Sequence, residues 1–149
     1  MNDLNFEDER IMITPAILYI DYINQHYNNY LKKNYKNITP RDFTYLINIF
    51  YHQNCSQKDL ARLLFVSESN VAQIIKRLEK NELIFRKEDS NNRSRNILNL
   101  TKKGKLLTFS LIKEIFEAEA KFFEKYDDED VDKFKKMLYD YAQTSINSY

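Results

Sequence analysis

The side chains best suited to chemistry lie between residues 69 and 77, where amides, hydroxyls and cations recur. Apolar side chains in this stretch are spaced by three or four, at Val71, Ile74, Ile75 and Leu78. That spacing predicts a helix with one buried side. Its opposite side carries Ser69, Asn70, Ala72, Gln73, Lys76 and Arg77. Because amides bond adenine edges while lysine and arginine suit guanine or phosphate, the pattern indicates hydrogen bonding to DNA bases, with an ordinary solvated helix face as the alternative.

A second, shorter helix is predicted just before this one. Ser56 is placed to cap a helix over 57–64, and Ser67 is placed to cap the helix described above. Serine does so because its hydroxyl accepts a bond from a free N–H group of the first turn. Phe65 and Val66 form the turn between them. A short helix, a turn and a second capped helix make a helix-turn-helix pattern, whose second helix enters the major groove.

A basic hairpin is predicted immediately downstream. Two β-forming runs at 83–86 and 95–100 flank a polar, turn-forming stretch at 88–94. An arginine on such a wing could enter the minor groove of narrow A·T-rich tracts, where negative potential is concentrated. The sequence leaves open whether Arg93 or Arg95 does so. The predicted DNA-binding residues are Ser67, Ser69, Asn70, Gln73, Lys76, Arg77, Arg86, Arg93 and Arg95.

The charges of the chain are segregated, although its formal net charge is only +1. Residues 76–105 hold ten basic and four acidic side chains, a balance of +6. Residues 114–140 hold five basic and ten acidic side chains, a balance of −5. A polyanion is therefore attracted to the first segment and repelled by the second.

Long helices are predicted on both sides of this region. One glycine and two prolines predict few tight turns in 149 residues. Helical periodicity runs over 12–35 with Pro15 near the start, over 39–51, over 102–126, and from 127 onward after a run of acidic residues. The predicted order is α-α-α-α-β-β-α-α. The fold class is mainly α with a small β-hairpin wing.

The central motifs resemble those of the MarR (multiple antibiotic resistance regulator) family. Residues 56–84, SQKDLARLLFVSESNVAQIIKRLEKNELI, are similar to its helix-turn-helix, and residues 92–104, NRSRNILNLTKKG, to its wing and Leu-Thr-x-x-Gly exit. The resemblance implies a winged helix-turn-helix flanked by long dimerisation helices. It implies an N-terminal dimerisation helix at 1–38, a DNA-binding lobe at 39–101 and C-terminal dimerisation helices at 102–149. The implied function is a ligand-responsive repressor that binds a pseudo-palindromic operator in double-stranded DNA as a homodimer.

Three positions depart from the family pattern. Ser94 stands where the wing usually has arginine, and Phe65 and Glu82 stand where glycine is frequent. We expect Arg93 or Arg95 to replace the wing arginine. We expect Asn81 to take the left-handed conformation that ends the reading helix, because asparagine tolerates it.

A ligand pocket and two other functions remain open. Aromatic side chains could line a pocket for a small aromatic ligand, at Tyr19, Tyr22, His26, Tyr51 and His52, with packing and dimer contacts as the alternative. Ser94 motivates a winged-helix protein-interaction module without DNA readout. Cys55 motivates a thiol redox-responsive regulator, with a small structural residue as the alternative.

Other classes of function have no support in the sequence. One cysteine and two histidines allow no internal disulfide, and they predict no metal site. Gly104 is the single glycine, so there is no phosphate-binding loop, and neither an enzyme nor a cofactor is predicted. No apolar run approaches the roughly 20 residues of a membrane span. The acidic N-terminal stretch lacks the features of a signal peptide, and we expect a cytoplasmic protein.

Overall fold

The computed structural model describes residues 8–146. In this range the helices are α1 Asp8–Ile13, α2 Ala16–Asn34, α3 Pro40–Tyr51, α4 Gln57–Leu63, α5 Glu68–Lys80, α6 Lys102–Phe123 and α7 Asp128–Ile146. The strands are β1 Ile84–Asp89 and β2 Asn92–Leu100, which pair as an antiparallel hairpin. The predicted fold class, mainly α with a β-hairpin wing, is confirmed. The outer ends of the predicted segments 1–38 and 102–149, and most of the acidic N-terminal stretch, lie outside the described residues.

The first predicted helix, with its start at Thr14-Pro15 in the periodic stretch 12–35, corresponds to α2 in the structure. α1 ends at Ile13, Pro15 is the N-cap of α2, and α2 begins at Ala16. The break has a local cause, because the ring of a proline disfavours helical backbone at the residue before it, here Thr14. The predicted helix start at Thr14-Pro15 is therefore confirmed, and the described order gains an additional short helix before it, which the sequence did not predict.

The described residues up to Gly104 form one compact unit, and its core positions the helix-turn-helix. The four apolar positions predicted to face inward on α5 are all buried: Val71, Ile74, Ile75 and Leu78. Leu60 of α4 and Phe43 and Leu46 of α3 are buried as well, with Leu83 and Leu98 from the hairpin region. Each such side chain contributes about 1.5–3 kcal/mol through removal from water. The polar side of α5 is therefore fixed in direction by its apolar side.

The hairpin is longer than the sequence suggested. The predicted turn at 88–94 is wrong in extent, because β1 continues to Asp89 and β2 begins at Asn92. Ser90 and Asn91 alone connect the paired residues Asp89 and Asn92. The Asp89 carboxylate accepts a bond from the Asn91 N–H at 2.9 Å, which closes the connection. The polar composition of 88–94 predicted a turn, although most of these residues belong to the paired strands.

The junction between β2 and α6 explains the Leu-Thr-x-x-Gly motif. The Thr101 hydroxyl accepts from the Gly104 N–H at 3.0 Å and donates to the Glu82 carbonyl at 2.6 Å. A Cβ atom at Gly104 would lie 1.9 Å from the Leu83 carbonyl oxygen. Glycine is needed here because the start of α6 approaches the backbone of Leu83 too closely for any side chain.

The described residues from Lys105 onward form a second compact unit. Within it the Phe123 and Phe134 rings lie 5.7 Å apart, and Lys135 bonds Glu119 at 2.8 Å. None of the described residues of α7 is buried. Its large exposed apolar side chains are Phe134, Met137, Leu138, Tyr139 and Ile146. Across the described residues, no helix is long and apolar enough to cross a membrane.

Candidate nucleic-acid interface

A serine side chain caps each helix of the helix-turn-helix, and an aspartate completes the cap of α4. At α4, Ser56 and Asp59 form a capping box in which each side chain accepts from the backbone of the other. At α5, the Ser67 hydroxyl accepts from the Asn70 N–H at 3.3 Å and lies 3.0 Å from the Ser69 hydroxyl. Both predicted caps are confirmed. Ser67 and Ser69 therefore form the first turn of α5, where the backbone can come close to a ligand.

Two residues with positive φ end these helices. Phe65 follows α4 with φ 53°, and Glu82 follows α5 with φ 59°. After α5 the Glu82 N–H donates to the Glu79 carbonyl at 2.9 Å, and the Leu83 N–H donates to the Leu78 carbonyl at 3.0 Å. This pair of bonds is a Schellman motif, which usually has glycine at the left-handed position. Both non-glycine residues therefore adopt a backbone that strains an L side chain.

The prediction that Asn81 adopts the left-handed conformation is wrong. Asn81 has φ −83°, and Glu82 takes the positive angle instead. The backbone carbonyls of Asn81 and Glu82 accept hydrogen bonds from residues that follow the hairpin. Lys103 donates to the Asn81 carbonyl at 2.9 Å, and Thr101 donates to the Glu82 carbonyl. Tertiary contacts therefore decide which residue of the pair is left-handed, despite the local preference of asparagine.

The exposed side of α5 presents two free amides. Asn70 and Gln73 are both exposed and lie three positions apart, on the same side of the helix. In the described part of the chain, neither side-chain amide bonds another protein group. Lys76 follows at the next position of this face and is also exposed. Donors and acceptors on this face are therefore available to a ligand.

Arg77, predicted as a DNA-binding residue, forms an ion pair instead of extending freely. Its Nη2 and Nε atoms lie 2.5 Å and 3.1 Å from Oδ1 of Asp42 on α3. Asp42 is fully buried, and its other oxygen accepts from the Thr39 backbone at 2.7 Å and from the Thr39 hydroxyl at 2.9 Å. Asp42 is the buried member of the pair, whereas 42% of the Arg77 side chain is exposed, so removing Arg77 should cost about 3 kcal/mol, at the low end of the range for a fully buried pair. Arg77 therefore fixes α5 to the start of α3.

Arg95 likewise joins the hairpin to the helix-turn-helix. Its guanidinium lies 2.5 Å from Asp59 and 3.0 Å from Asp89, and it donates to the Asn54 carbonyl at 3.3 Å. Bonds from the backbone and hydroxyl of Ser56, together with Arg95, lower the pKa of Asp59 to about 2. Asp59 therefore caps α4 and, through Arg95, also holds β2 in place.

The remaining cations of the hairpin differ in their partners. Arg86 donates from Nε to Glu79 of α5 at 2.9 Å. Arg93 is exposed, lies directly after Asn92 at the connection, and forms no ion pair with a carboxylate of the described residues. Ser94 bonds the Asn92 side chain through both its N–H and its hydroxyl. The free arginine of the wing is therefore Arg93.

The nine predicted residues all lie on α5, its cap and the hairpin, but the structure divides them by role. Asn70, Gln73, Lys76 and Arg93 extend from the surface, and Arg77, Arg86 and Arg95 pair with carboxylates. The sequence reasoning missed the partners of these arginines, which are Asp42, Glu79, Asp59 and Asp89. A signal for two of them was present, since Thr39 and Ser56 are each followed three positions later by aspartate, the spacing of a capping box.

The five predicted ligand-pocket residues do not line the cleft that borders α5. That cleft, of about 580 Å³, is lined by α2, α3 and α5 side chains that include Asn28, Lys32, Arg41, Tyr45 and Asn70. The Tyr22 and His26 rings are in contact in a tilted arrangement, with centroids 4.4 Å apart, and Tyr19 donates to the Ile11 carbonyl at 3.1 Å. Tyr51 and His52 are exposed at the end of α3. The aromatic pocket stays a prediction.

Cys55 lies buried beside the start of α4. Burial raises the pKa of its thiol to about 11, and the nearby Asp59 carboxylate adds to the rise. The thiolate is the reactive form of cysteine, so this environment does not favour a redox switch and is typical of a structural cysteine.

Comparison with known proteins shows which family this chain is similar to. Residues 38–95 match the sequence profile of the MarR family. This stretch is similar to a MarR-family domain. An HTH-type transcriptional regulator from Bacillus cereus (strain ATCC 10987 / NRS 248) is 28% identical over 124 residues, which cover 83% of this chain and 79% of the relative. The predicted resemblance to the MarR family is therefore confirmed, and family members are transcription regulators rather than enzymes.

Solved structures of MarR-type proteins share the fold. A MarR family protein from Bacillus stearothermophilus superposes with a TM-score of 0.77 at 21% identity, covering 95% of this chain and 99% of that one. MepR of S. aureus, solved as a complex with DNA, superposes with a TM-score of 0.70 at 21% identity, covering 93% and 99%. At these identities the likeness shows the winged-helix fold, and the winged-helix prediction is confirmed by it.

Proposed function

We propose that this MarR-type chain is a sequence-specific DNA-binding transcription regulator. The observation that carries the proposal is the exposed side of α5, where Asn70 and Gln73 have free amides beside a hairpin with an unpaired Arg93. In a helix-turn-helix, the first residues of the second helix contact base edges in the major groove. Arg93 then contacts the adjacent minor groove, and Lys76 contacts phosphate. The relative solved with DNA, MepR, has the same fold.

A homodimer on a pseudo-palindromic operator is part of this proposal. α7 has no buried residue among those described, although it carries several large apolar side chains. α2 independently exposes Ile17, Leu18 and Ile23. Exposed apolar helix faces of this kind are typical of protein–protein contacts. Two copies related by a two-fold axis present two reading helices to two half-sites, which is why the operator should be an inverted repeat.

We propose repression as the regulatory outcome and a small ligand as its signal. A repressor needs only to occupy the operator, and no described feature of the chain suggests contact with a polymerase. The cleft bordering α5 includes Asn70, so a ligand seated there would contact a residue that we assign to DNA. Such a ligand would have different affinities for the free and the DNA-bound states, which is the requirement for a response.

The experiment is a binding titration on the DNA upstream of the chain's own coding sequence. Fluorescence anisotropy compares that duplex with a shuffled duplex of equal composition, at several salt concentrations. We expect at least a 100-fold preference for the native duplex, since specific binding is typically 10³-fold or more tighter than non-specific binding. Affinity should fall steeply with salt because phosphate counterions are released. Equal affinity for both duplexes would contradict the proposal.

The alternative is a winged-helix module that binds another protein. Phe65 favours it, because this aromatic side chain is 76% exposed in the turn of the helix-turn-helix. The same titration separates the two functions. A protein-binding module predicts weak, sequence-independent DNA affinity, together with an unaltered titration after Gln73→Ala.

A further inference from the structure

We infer that α5 reads adenine in A·T base pairs, through the amides of Asn70 and Gln73, and reads no guanine. The inference rests on the proposed function and specifies which base pairs the proposed interface recognises. It follows from the different states of three side chains on one helix: two free amides, and an arginine that is bound to a buried carboxylate.

The arginine is the first part of the argument. Arg77 is the single arginine within α5, and a bidentate arginine is the most frequent reader of guanine. Its Nε and Nη2 atoms both bond Oδ1 of Asp42, and Nη2 also donates to the Thr39 hydroxyl at 3.5 Å, so Nη1 alone is left for a further contact. Moving Arg77 into the groove would leave the buried Asp42 with no cation. Arg77 is therefore not available to contact guanine.

The lysine is the second part. Lys76 is exposed and could bond guanine, but it is the ninth residue of α5. The N-terminal residues of a reading helix contact base edges, and later residues contact the DNA backbone. A lysine ammonium is a flexible point charge that suits phosphate. Lys76 is therefore assigned to the backbone of the DNA.

The amides are the third part. Asn70 and Gln73 are the third and sixth residues of α5, within its first two turns. Each amide supplies one donor and one acceptor group, which matches N7 and N6 of adenine in the major groove. Three residues advance about 4.5 Å along a helix, close to the roughly 3.4 Å rise between base pairs. The two amides can thus contact neighbouring base pairs of the same half-site.

The test selects bound duplexes from a randomised library and then replaces individual purines. We expect A·T pairs at the two positions that Asn70→Ala and Gln73→Ala relax. 7-Deazaadenine lacks the N7 acceptor but still pairs with thymine, so at either position it should weaken binding of the wild-type protein about 10-fold. The same replacement should have no effect on the variant that lacks the contacting amide. Gln143→Ala, at an exposed polar position of α7, serves as the control and should behave as the wild-type protein.

The possible outcomes separate the inference from the proposed function. Enriched half-sites whose contacts depend on guanine, shown by a loss with 7-deazaguanine and none with 7-deazaadenine, would overturn the inference and leave sequence-specific binding intact. A library with no enriched sequence would overturn both. The variant Gln73→Arg gives an independent test. Its selected duplexes should have G·C in place of A·T at one base pair. Thermal unfolding of each variant shows that the fold is retained.

Discussion

The helix-turn-helix and the last helix, α7, differ in how far their apolar side chains are buried. Around α4 and α5 every predicted apolar position of α5 is buried, and several charged groups are paired across elements. α7, described by itself, leaves Phe134, Met137 and Leu138 exposed. The difference indicates that α5 buries its apolar side within its own unit, and it supports our proposal that a second copy of the chain covers α7. Mutations should therefore affect folding in the first region and association in the second.

The largest expected effect is at the ion pair that fixes α5. Arg77→Met removes the cation beside buried Asp42 and should lower the free energy of unfolding by about 3 kcal/mol. Arg93→Met removes an exposed arginine without an ion pair among the described residues, and should change it by less than about 0.5 kcal/mol. Urea unfolding of both variants measures the contrast. Equal stability of the two would show that Arg77 does not fix the helix.

A slightly smaller effect is expected at the junction of β2 and α6. Gly104→Ala forces a methyl group against the Leu83 carbonyl, and should destabilise the protein by about 2 kcal/mol. The control, Lys105→Ala, changes the exposed neighbouring residue and should be nearly neutral. Thermal unfolding distinguishes them. An unchanged melting temperature for Gly104→Ala would mean that this close approach does not exist.

The C-terminal region should respond through association. Leu138→Lys introduces a charge among the exposed apolar side chains of α7 and should weaken dimerisation at least 10-fold, or about 1.4 kcal/mol. Gln143→Lys adds the same charge at an exposed polar position of this helix and should leave the dimer intact. Sedimentation over a range of concentrations gives the dissociation constants. A wild-type chain that is monomeric at all concentrations would contradict this role of α7.

The smallest effect is expected at the end of α5. Glu82→Gly relieves a left-handed L residue and should raise the free energy of unfolding by about 1 kcal/mol. Asn81→Gly, one position earlier at φ −83°, should instead lower it by about 0.5 kcal/mol through the entropy of glycine. Changes of opposite sign in the free energy of unfolding would identify Glu82, and not Asn81, as the left-handed residue. A stabilising Asn81→Gly would reverse the assignment of the two angles.

Periodicity and caps predicted the elements of the interface, but not the pairing of its charges. The buried side of α5 and the capping serines Ser56 and Ser67 follow from local spacing, and the structure has them as predicted. Asp42 lies 35 residues from Arg77 along the chain, and Asp59 lies 36 residues from Arg95. No local pattern links such distant residues. Sequence therefore indicated which cations lie near the interface, and only the fold shows which of them remain free.

The most direct test of the central claim is a double-variant titration on the upstream duplex. Gln73→Ala combined with Arg93→Ala removes one free group from α5 and one from the wing, and neither substitution touches the core. We expect at least a 100-fold loss of affinity for the native duplex, with little change for a shuffled one. Lys136→Ala, an exposed cation of α7, controls for charge. Undiminished affinity of the double variant would contradict the assignment of this surface to DNA.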